Sequence, residues 1–425
     1  MNVLVINQCS TNKGDRAVLY FVLREMKANG IESVTVSASN PQYWEEAKDF
    51  PEIDVNVIPW GWDVSRKRNV GFLTKVFHLF MKVKLPRLIC FPLVRNALVK
   101  GKRPSYLRHI VNKHYLEALE KADIVISTGG HHLTTIIAGS IKTPQIFDMA
   151  IALLWRKPLL LWSQSIGPFT FKSSSSKTMI RKILAGVRQT YVRDEASQEE
   201  IENVDVSAEH ISKTRESVFG LYDVIRSRVA PSKREAVMGV SVWTGNKHDY
   251  QAWEEYVCCF AELIDYAIEK GGYERVRFFP MEMQGSDRTC IEDIKKHACK
   301  KDCCEIVENF PGTVEHINSI SKCRMFLGHK THSQIFSLVA ETPLLAIAYH
   351  KKTEDFMAQF NLEQYCIVDT ELNTEKLFKL FDKINKNLDQ ISEKEKEKAF
   401  QMYEQVKRDF AQMIALEKNA ESSAE

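Results

Sequence analysis

The stretch LGHKTHSQIFSLVAETPLLAIAYHKK, residues 327–352, constrains the chain more than any other. The apolar run 324–327 has the length and character of a buried strand, Gly328 frees the turn after it, and residues 333–340 carry apolar side chains at helical spacing. A second apolar run, 343–348, follows. His329, Lys330 and His332 therefore fall at a strand's carboxyl end, facing the amino end of the next helix. Open backbone N–H groups and the helix dipole favour a phosphate or carboxylate there, and nearby cations add to the attraction. Tyr349, His350, Lys351 and Lys352 reach the same edge from the second strand. A solvated loop with scattered positive charge accounts for the spacing equally well.

The same alternation recurs along the chain. Residues 3–6 read as a strand, 15–29 as a helix stopped by Gly30, and 34–37 as a strand, so the chain opens on a βαβ unit. Gly14 lets the backbone turn tightly. Asp15 stands where a helix amino terminus holds a carboxylate, which reads as a cap before it reads as a catalyst. Residues 106–121 have helical spacing, and 123–127 form a strand ending in Gly129-Gly130-His131-His132, where glycines admit a ligand to the backbone and histidines titrate near neutrality. The strand 158–162 feeds Gln164-Ser165-Ile166-Gly167-Pro168, and Tyr191-Val192 leads to Arg193-Asp194, for which a local ion pair is the ordinary explanation. Polar and basic residues 219–234, with Pro231, read as a linker. The strand and helix alternation then restarts at 237–242 and ends with a strand at 366–369 and one long helix over 393–417.

At 425 residues the chain has room for two or three domains, and 44% apolar with 27% charged residues sets disordered and fibrous classes aside. Met1-Asn2 runs directly into the first strand and no uninterrupted apolar stretch is long enough to span a bilayer, so the expectation is a cytoplasmic protein. The ten cysteines include no C-x-x-C. His297, Cys299, Cys303 and Cys304 could supply zinc ligands, but they read as one helix and its exit. Reduced, mostly buried thiols are the simpler account, and no metal is expected. Net charge is +3, yet residues 64–116 hold thirteen Lys and Arg and no Asp or Glu, which leaves about −10 on the rest. Aromatic and aliphatic residues interleave with these cations. This basic segment suits either an anionic membrane interface or a pair of core helices with a basic face. Nucleic acid is not expected, since no recognition motif accompanies the charge.

Gly328-His329-Lys330-Thr331-His332-Ser333, with Pro343 and Tyr349-His350-Lys351-Lys352 after it, resembles the polysaccharide pyruvyltransferase family, whose pattern is close to G-x-R-x-H-S, a strand, and Y-x-x-K. Asn12-Lys13-Gly14-Asp15-Arg16-Ala17 is similar to its N-x-G-D-x-A, Gln164–Phe169 to its Q-S-I-G-P-F, and Arg193–Ser197 to its R-D-x-x-S. Two positions depart from the family. His131 stands where a third glycine is usual, and Lys330 stands where an arginine is usual, which keeps the charge but loses the bidentate fork.

The resemblance implies an α/β fold of two Rossmann-like, doubly wound domains facing a cleft, GT-B-like, with the last helix packing back on the first domain. On this reading residues 1–218 are an acceptor-side domain with a basic helical insertion at 64–116, 219–234 the linker, 235–392 the donor-side domain, and 393–425 the final helix and tail. The implied reaction moves the pyruvyl group of phosphoenolpyruvate onto two hydroxyls of a sugar in a polysaccharide or lipid-linked saccharide, giving a cyclic ketal and phosphate, with no cofactor. It implies donor binding by Arg193, Lys330, Thr331, His332 and Lys351. Acceptor binding is implied for Asn12, Gly14, Asp15, His131, His132 and Gln164, with His332 and Asp15 as catalytic candidates. Docking of 64–116 on an anionic membrane would place the enzyme peripherally at the inner face. A nucleotide-sugar glycosyltransferase of the same architecture and a non-catalytic glycan binder are the competing readings.

Overall fold

Strands such as residues 3–6 and 159–161 are apolar at every position, without the alternation of a sheet that is wet on one side. Such runs demand helices over both faces, and hence parallel pairing with crossover connections. The computed structural model describes residues 1–9, 11–47, 53–63, 85–136, 139–245, 250–282, 285–308, 311–349 and 351–422. Among them fourteen strands form two sheets, and every strand pair is parallel. The chain divides into two units, the first built from described residues within Met1–Ser10, Val18–Ser217 and Gln405–Glu425, the second from Thr11–Ala17 and Val218–Glu404.

The first unit holds β1 (Val3–Cys9), β2 (Ser33–Ser39), β3 (Asp54–Pro59), β4 (Ile124–Ser127), β5 (Gly130–Leu133), β6 (Leu159–Ile166), β7 (Gln189–Val192) and β8 (Ile211–Lys213). Their order is β3-β2-β1-β4-β6-β7-β8, with the short β5 beside β6. β1 and β6 are both bulged. Asn7 (φ 72°) and Ser163 (φ 49°) adopt left-handed backbone where the register of each strand slips against its neighbour. The helix Pro144–Leu154 is apolar nearly all round and buried, and its Asp148 accepts a hydrogen bond from the Gly61 amide at 3.2 Å. Burial pushes that carboxyl up to about 8, against smaller lowering by the Gly61 and Trp62 amides and Ser37, so it is protonated at neutral pH. The final helix, Leu388–Ser422, brings Phe410 edge-on to Trp162 at 4.9 Å and to Phe21 at 5.7 Å, and so packs back on this first unit as expected.

The second unit holds β9 (Glu235–Ser241), β10 (Arg275–Phe278), β11 (Cys304–Ile306), β12 (Cys323–Gly328), β13 (Leu344–Ala348) and β14 (Cys366–Val368) in the order β11-β10-β9-β12-β13-β14. Numbered within the unit this is 3-2-1-4-5-6, the doubly wound order, whose reversal point lies between β9 and β12. The stretch 219–234 packs within this unit. Phe219 and Leu221 are fully buried, and Arg234 donates to the carbonyls of Val229, Glu341 and Cys323 and to the Thr342 hydroxyl.

Two local expectations change. The single helix over 106–121 is two pieces, Leu107–Ile110 and Lys113–Lys121, because Val111 and Asn112 leave helical backbone and Asn112 caps the second by accepting from His114 N at 2.9 Å. His131 and His132, read as the end of the strand 123–127, lie in a separate strand, β5. No helix among the described residues is long and apolar enough to cross a membrane.

Candidate functional site

At the reversal point of the second sheet, Gly328 pairs with Ser241 and the chain turns into the helix Thr331–Val339. Lys330 is the residue at its amino end, in extended backbone, and no side-chain cap satisfies the first N–H groups. Gln334 secures the turn by donating to the Gly328 and Ile347 carbonyls, each at 2.9 Å, while its oxygen accepts from Thr353 at 2.8 Å. An uncapped helix terminus thus stands at the strand's carboxyl end, as the spacing predicts, and open N–H groups in that position favour an anion.

Lys330 meets two carboxylates there. Its ammonium is buried and donates to Asp287 Oδ1 at 2.6 Å and Glu282 Oε1 at 2.8 Å. The other Asp287 oxygen accepts from the Met281 and Glu282 amides. Lys330 thereby ties down the loop after β10. That loop in turn receives the chain's first motif, since Lys13 N donates to Met281 O at 2.9 Å and Asn12 bridges to Glu282. Asn12 Oδ1 accepts from Gly14 N at 2.8 Å and Asp15 N at 3.4 Å, so Asn12 is the cap of the helix Lys13–Ala28, and the capping role read for Asp15 is corrected. A Cβ on Gly14 would stand 2.1 Å from Cγ of His332, so only glycine lets this loop lie on that ring. Asp15 follows directly.

Behind Lys330 is a neutral histidine. The Tyr256 hydroxyl accepts from Trp243 N at 3.0 Å and lies 3.1 Å from His329 Nδ1, so its proton goes to that nitrogen and leaves Nε2–H facing Asp369 at 3.4 Å. Burial, then the Lys330 charge, pushes His329 down to about 3. Tyr349 stacks on Trp243 at 4.3 Å, and its hydroxyl is 3.3 Å from Thr331 Oγ1. Lys351 is exposed and 3.9 Å from Asp355, while His350 lies outside the described residues.

In the first unit the motif residues gather at the ends of β1, β4, β5 and β6. Gln164 is buried and donates to Ser127 Oγ at 3.1 Å and to the Ser127 and Thr128 carbonyls, which fastens β6 to β4. Asn7 Nδ2 reaches the same Ser127 hydroxyl at 2.9 Å. Asn7 Oδ1, Gln8 Oε1, Gln164 Oε1 and His132 Nε2 are buried without a hydrogen-bond partner among the described residues. Unsatisfied polar atoms converging on strand ends mark a place for ligand or bound water. His131 Nε2 bonds the Gly167 carbonyl. Burial, then the charges of Arg193 and His131, pushes His132 down to about 3. Arg193 pairs with buried Glu216 and donates to Ser165 Oγ at 2.9 Å, while Asp194 caps the next helix by accepting from Ser197 N at 2.9 Å. The ion pair read between Arg193 and Asp194 is thus replaced by one with Glu216.

The expected site residues form two groups. Asn12, Gly14, Asp15, Lys330, Thr331, His332 and Lys351 belong to the second unit, and His131, His132, Gln164 and Arg193 to the first. Sequence reasoning missed Trp243, Glu282 and Asp287. Trp243-Thr244-Gly245 directly after a strand was the available signal for the first; nothing in the spacing marks the two acids. Residues 64–84 of the basic segment lie outside the described residues. Of its remainder, Arg108 pairs with Glu120 at 2.7 Å and Lys113 with Glu117 at 3.4 Å. The group with metal-ligand spacing among the described residues is Glu254, Cys258 and His297, which leaves Cys299, Cys303 and Cys304 out.

Three comparisons bear on this arrangement. A 21% identical relative over 379 residues, 85% of this chain and 86% of its own, is the amylovoran biosynthesis protein AmsJ of Erwinia amylovora. Among solved structures, S. aureus MnaA with UDP matches with a TM-score of 0.57 at 10% identity over 92% of this chain and 90% of its own. The UDP-GlcNAc 2-epimerase of Neisseria meningitidis matches with a TM-score of 0.56 at 10% identity over 99% and 100%. These last two share the fold, two Rossmann-like domains of GT-B type. The model of the family described as polysaccharide pyruvyl transferase matches residues 12–351, across both groups of site residues, and the chain belongs to that family of enzymes.

Proposed function

We propose that the protein transfers the pyruvyl group of phosphoenolpyruvate to two hydroxyls of one sugar in a glycan, forming a cyclic ketal and releasing phosphate. The observation that carries this reading is the packing of Gly14, the residue before Asp15, on His332 at the open amino end of the Thr331–Val339 helix. An anion site, a titrating ring and a carboxylate are what the reaction needs together.

The donor's methylene carbon takes a proton, the cationic centre left at its neighbour accepts one sugar hydroxyl, and loss of phosphate lets the second hydroxyl close the ketal. Of the two hydroxyl protons released, one balances the proton on the new methyl group and the other leaves with phosphate. The N–H groups of the helix terminus, Thr331 and Lys351 hold the donor's charges. His332 donates a proton to the leaving phosphate or the methylene carbon, and Asp15 accepts one from the sugar. Lys330 is engaged by Asp287 and Glu282, and Arg193 by Glu216, so each supports donor binding by holding its loop. In the first unit His131, His132 and Gln164 are the residues assigned to the acceptor, and no cofactor takes part.

Phosphate release from phosphoenolpyruvate across a panel of galactosides, glucosides and mannosides tests the reading, with UDP-sugars as the competing donors. His332→Gln keeps a hydrogen-bond donor and removes the titrating proton, so turnover drops by roughly 10² to 10⁴. Turnover with a UDP-sugar and none with phosphoenolpyruvate would replace pyruvyl transfer by glycosyl transfer.

A further inference from the structure

A cavity of about 340 Å³ lies beside the loop that follows β6, lined by Arg95, Lys142 and Lys172, by five Ser and Thr residues, and by the apolar Phe91, Ile141 and Phe171. Arg95 comes from the helix Phe91–Lys100, Lys142 precedes the helix Pro144–Leu154, and Lys172 precedes the helix Ser174–Gly186. No carboxylate lines the cavity among the described residues. Arg95 Nε is buried without a partner, and none of the three cations is in an ion pair among the described residues. Like charges around one cavity repel, and a polyanion between them turns that repulsion into attraction. The amino end of the thirteen-residue helix Ser174–Gly186, with Ser173 as its cap, adds a favourable dipole.

The cavity adjoins the motif residues of the first unit. Thr135 Oγ1 donates to Pro168 O at 3.2 Å and accepts from Thr170 N at 2.7 Å, and the preceding Gly167 carbonyl holds His131. Exposed aliphatic side chains belong to neighbouring residues. Arg87 Nε donates to Lys142 O at 3.3 Å, which seats the turn Pro86–Cys90 next to the cavity with Leu88 61% and Ile89 50% exposed. Ile136, directly after Thr135, is 58% exposed. Cations and hydroxyls set among the apolar Phe91, Ile141 and Phe171, with exposed aliphatics beside the cavity, match a phosphate group attached to hydrocarbon.

We propose that this cavity binds the diphosphate of a lipid-carried acceptor, with Leu88, Ile89 and Ile136 turned to the lipid. The size is within the range of small-molecule sites. The proposal rests on the pyruvyl-transfer reading only in naming that ligand as the acceptor, and its test contains no donor. A failure of pyruvyl transfer and a failure of this site are therefore separate results.

The probes are inorganic pyrophosphate, followed by calorimetry, and phosphatidylcholine vesicles doped with farnesyl diphosphate, followed by flotation. Phosphatidylglycerol vesicles of equal charge serve as the control. The full chain binds pyrophosphate and floats with the diphosphate vesicles in preference to the control. Arg95→Gln and Lys142→Gln each weaken both readouts by about tenfold or more, the loss of one charged hydrogen bond. Leu88→Ser with Ile89→Ser keeps the pyrophosphate affinity and loses flotation. Melting curves establish that each variant is folded, and Lys172→Gln, at an exposed position, replaces Arg95→Gln if that variant does not fold. Binding of neither probe, or binding unchanged in the charge variants, overturns the site. Pyrophosphate binding without flotation makes it a site for a soluble phosphate and overturns the lipid assignment, as does equal flotation with phosphatidylglycerol.

Discussion

At Lys330 one ammonium holds two carboxylates, and one of them, Asp287, is 1% exposed. Glu282 still reaches solvent if the cation is removed but Asp287 does not, and breaking a buried pair from one side costs about 3 to 5 kcal/mol because a charge is stranded. Lys330→Met should lower unfolding stability in urea by that amount, and Asp287→Asn added to it should recover part of the loss, since the stranded charge goes too. A Lys330→Met protein within about 1 kcal/mol of the parent would remove the positioning role. Side-chain type and strand-end location were readable at this residue, and at Arg193, because motifs and apolar runs are local. Their partners were not. Glu282, Asp287 and Glu216 lie 48, 43 and 23 residues away, and a carboxylate's address in space is set by sheet order, which spacing does not encode.

The elements follow the sequence closely wherever an apolar run is bounded by a stop signal. Gly30 has φ +73° just after the first helix, Gly101 has φ +64° at the end of Phe91–Lys100, and both work as left-handed stops. What spacing could not reveal were departures made by single residues, such as the bulges at Asn7 and Ser163 and the break at Asn112. The last helix was visible as a charged amphipathic tail, but its docking was known only from the family resemblance. Phe410 is fully buried against Trp162 and Phe21. Phe410→Ala should therefore cost about 3 to 5 kcal/mol, the range for emptying a buried aromatic site. Calorimetric melting reads the effect, and a shift as small as that of a surface substitution would mean that the helix end does not close the core.

Across the whole molecule, buried titratable groups pull stability in opposite directions. His132 and His329 are held down to about 3, and His316 well below its usual value by burial and then Lys13. Below pH about 6.5 the unfolded chain protonates these rings while the native state does not, so acidification costs stability. Asp148, held up to about 8, works the other way: from about pH 4 to 8 the unfolded chain has lost this proton and the native state keeps it, so stability falls as pH rises. Above pH about 6.5 the histidine effect is spent. Asp148→Asn should then flatten the decline between pH 6.5 and 8, where the parent loses up to about 1.4 kcal/mol per pH unit through this group. Urea midpoints at the two ends of that range decide it, and equal slopes for parent and variant would show that the carboxyl is ionised in the native protein.

Both units are stitched from distant pieces of chain, and this sets the order in which the protein can be made. The first unit's strands leave the ribosome early, but Phe410 and the turns around it, which cover Phe21 and Trp162, belong to Gln405–Glu425 and are synthesised only after the whole of Val218–Glu404. The loop Thr11–Ala17 likewise emerges before the β10 end and the His332 helix on which it rests. Neither unit can close until its distant segment has been made. The aromatic surface of Phe21 and Trp162 therefore stays uncovered in the nascent protein until the helix that bears Phe410 has emerged.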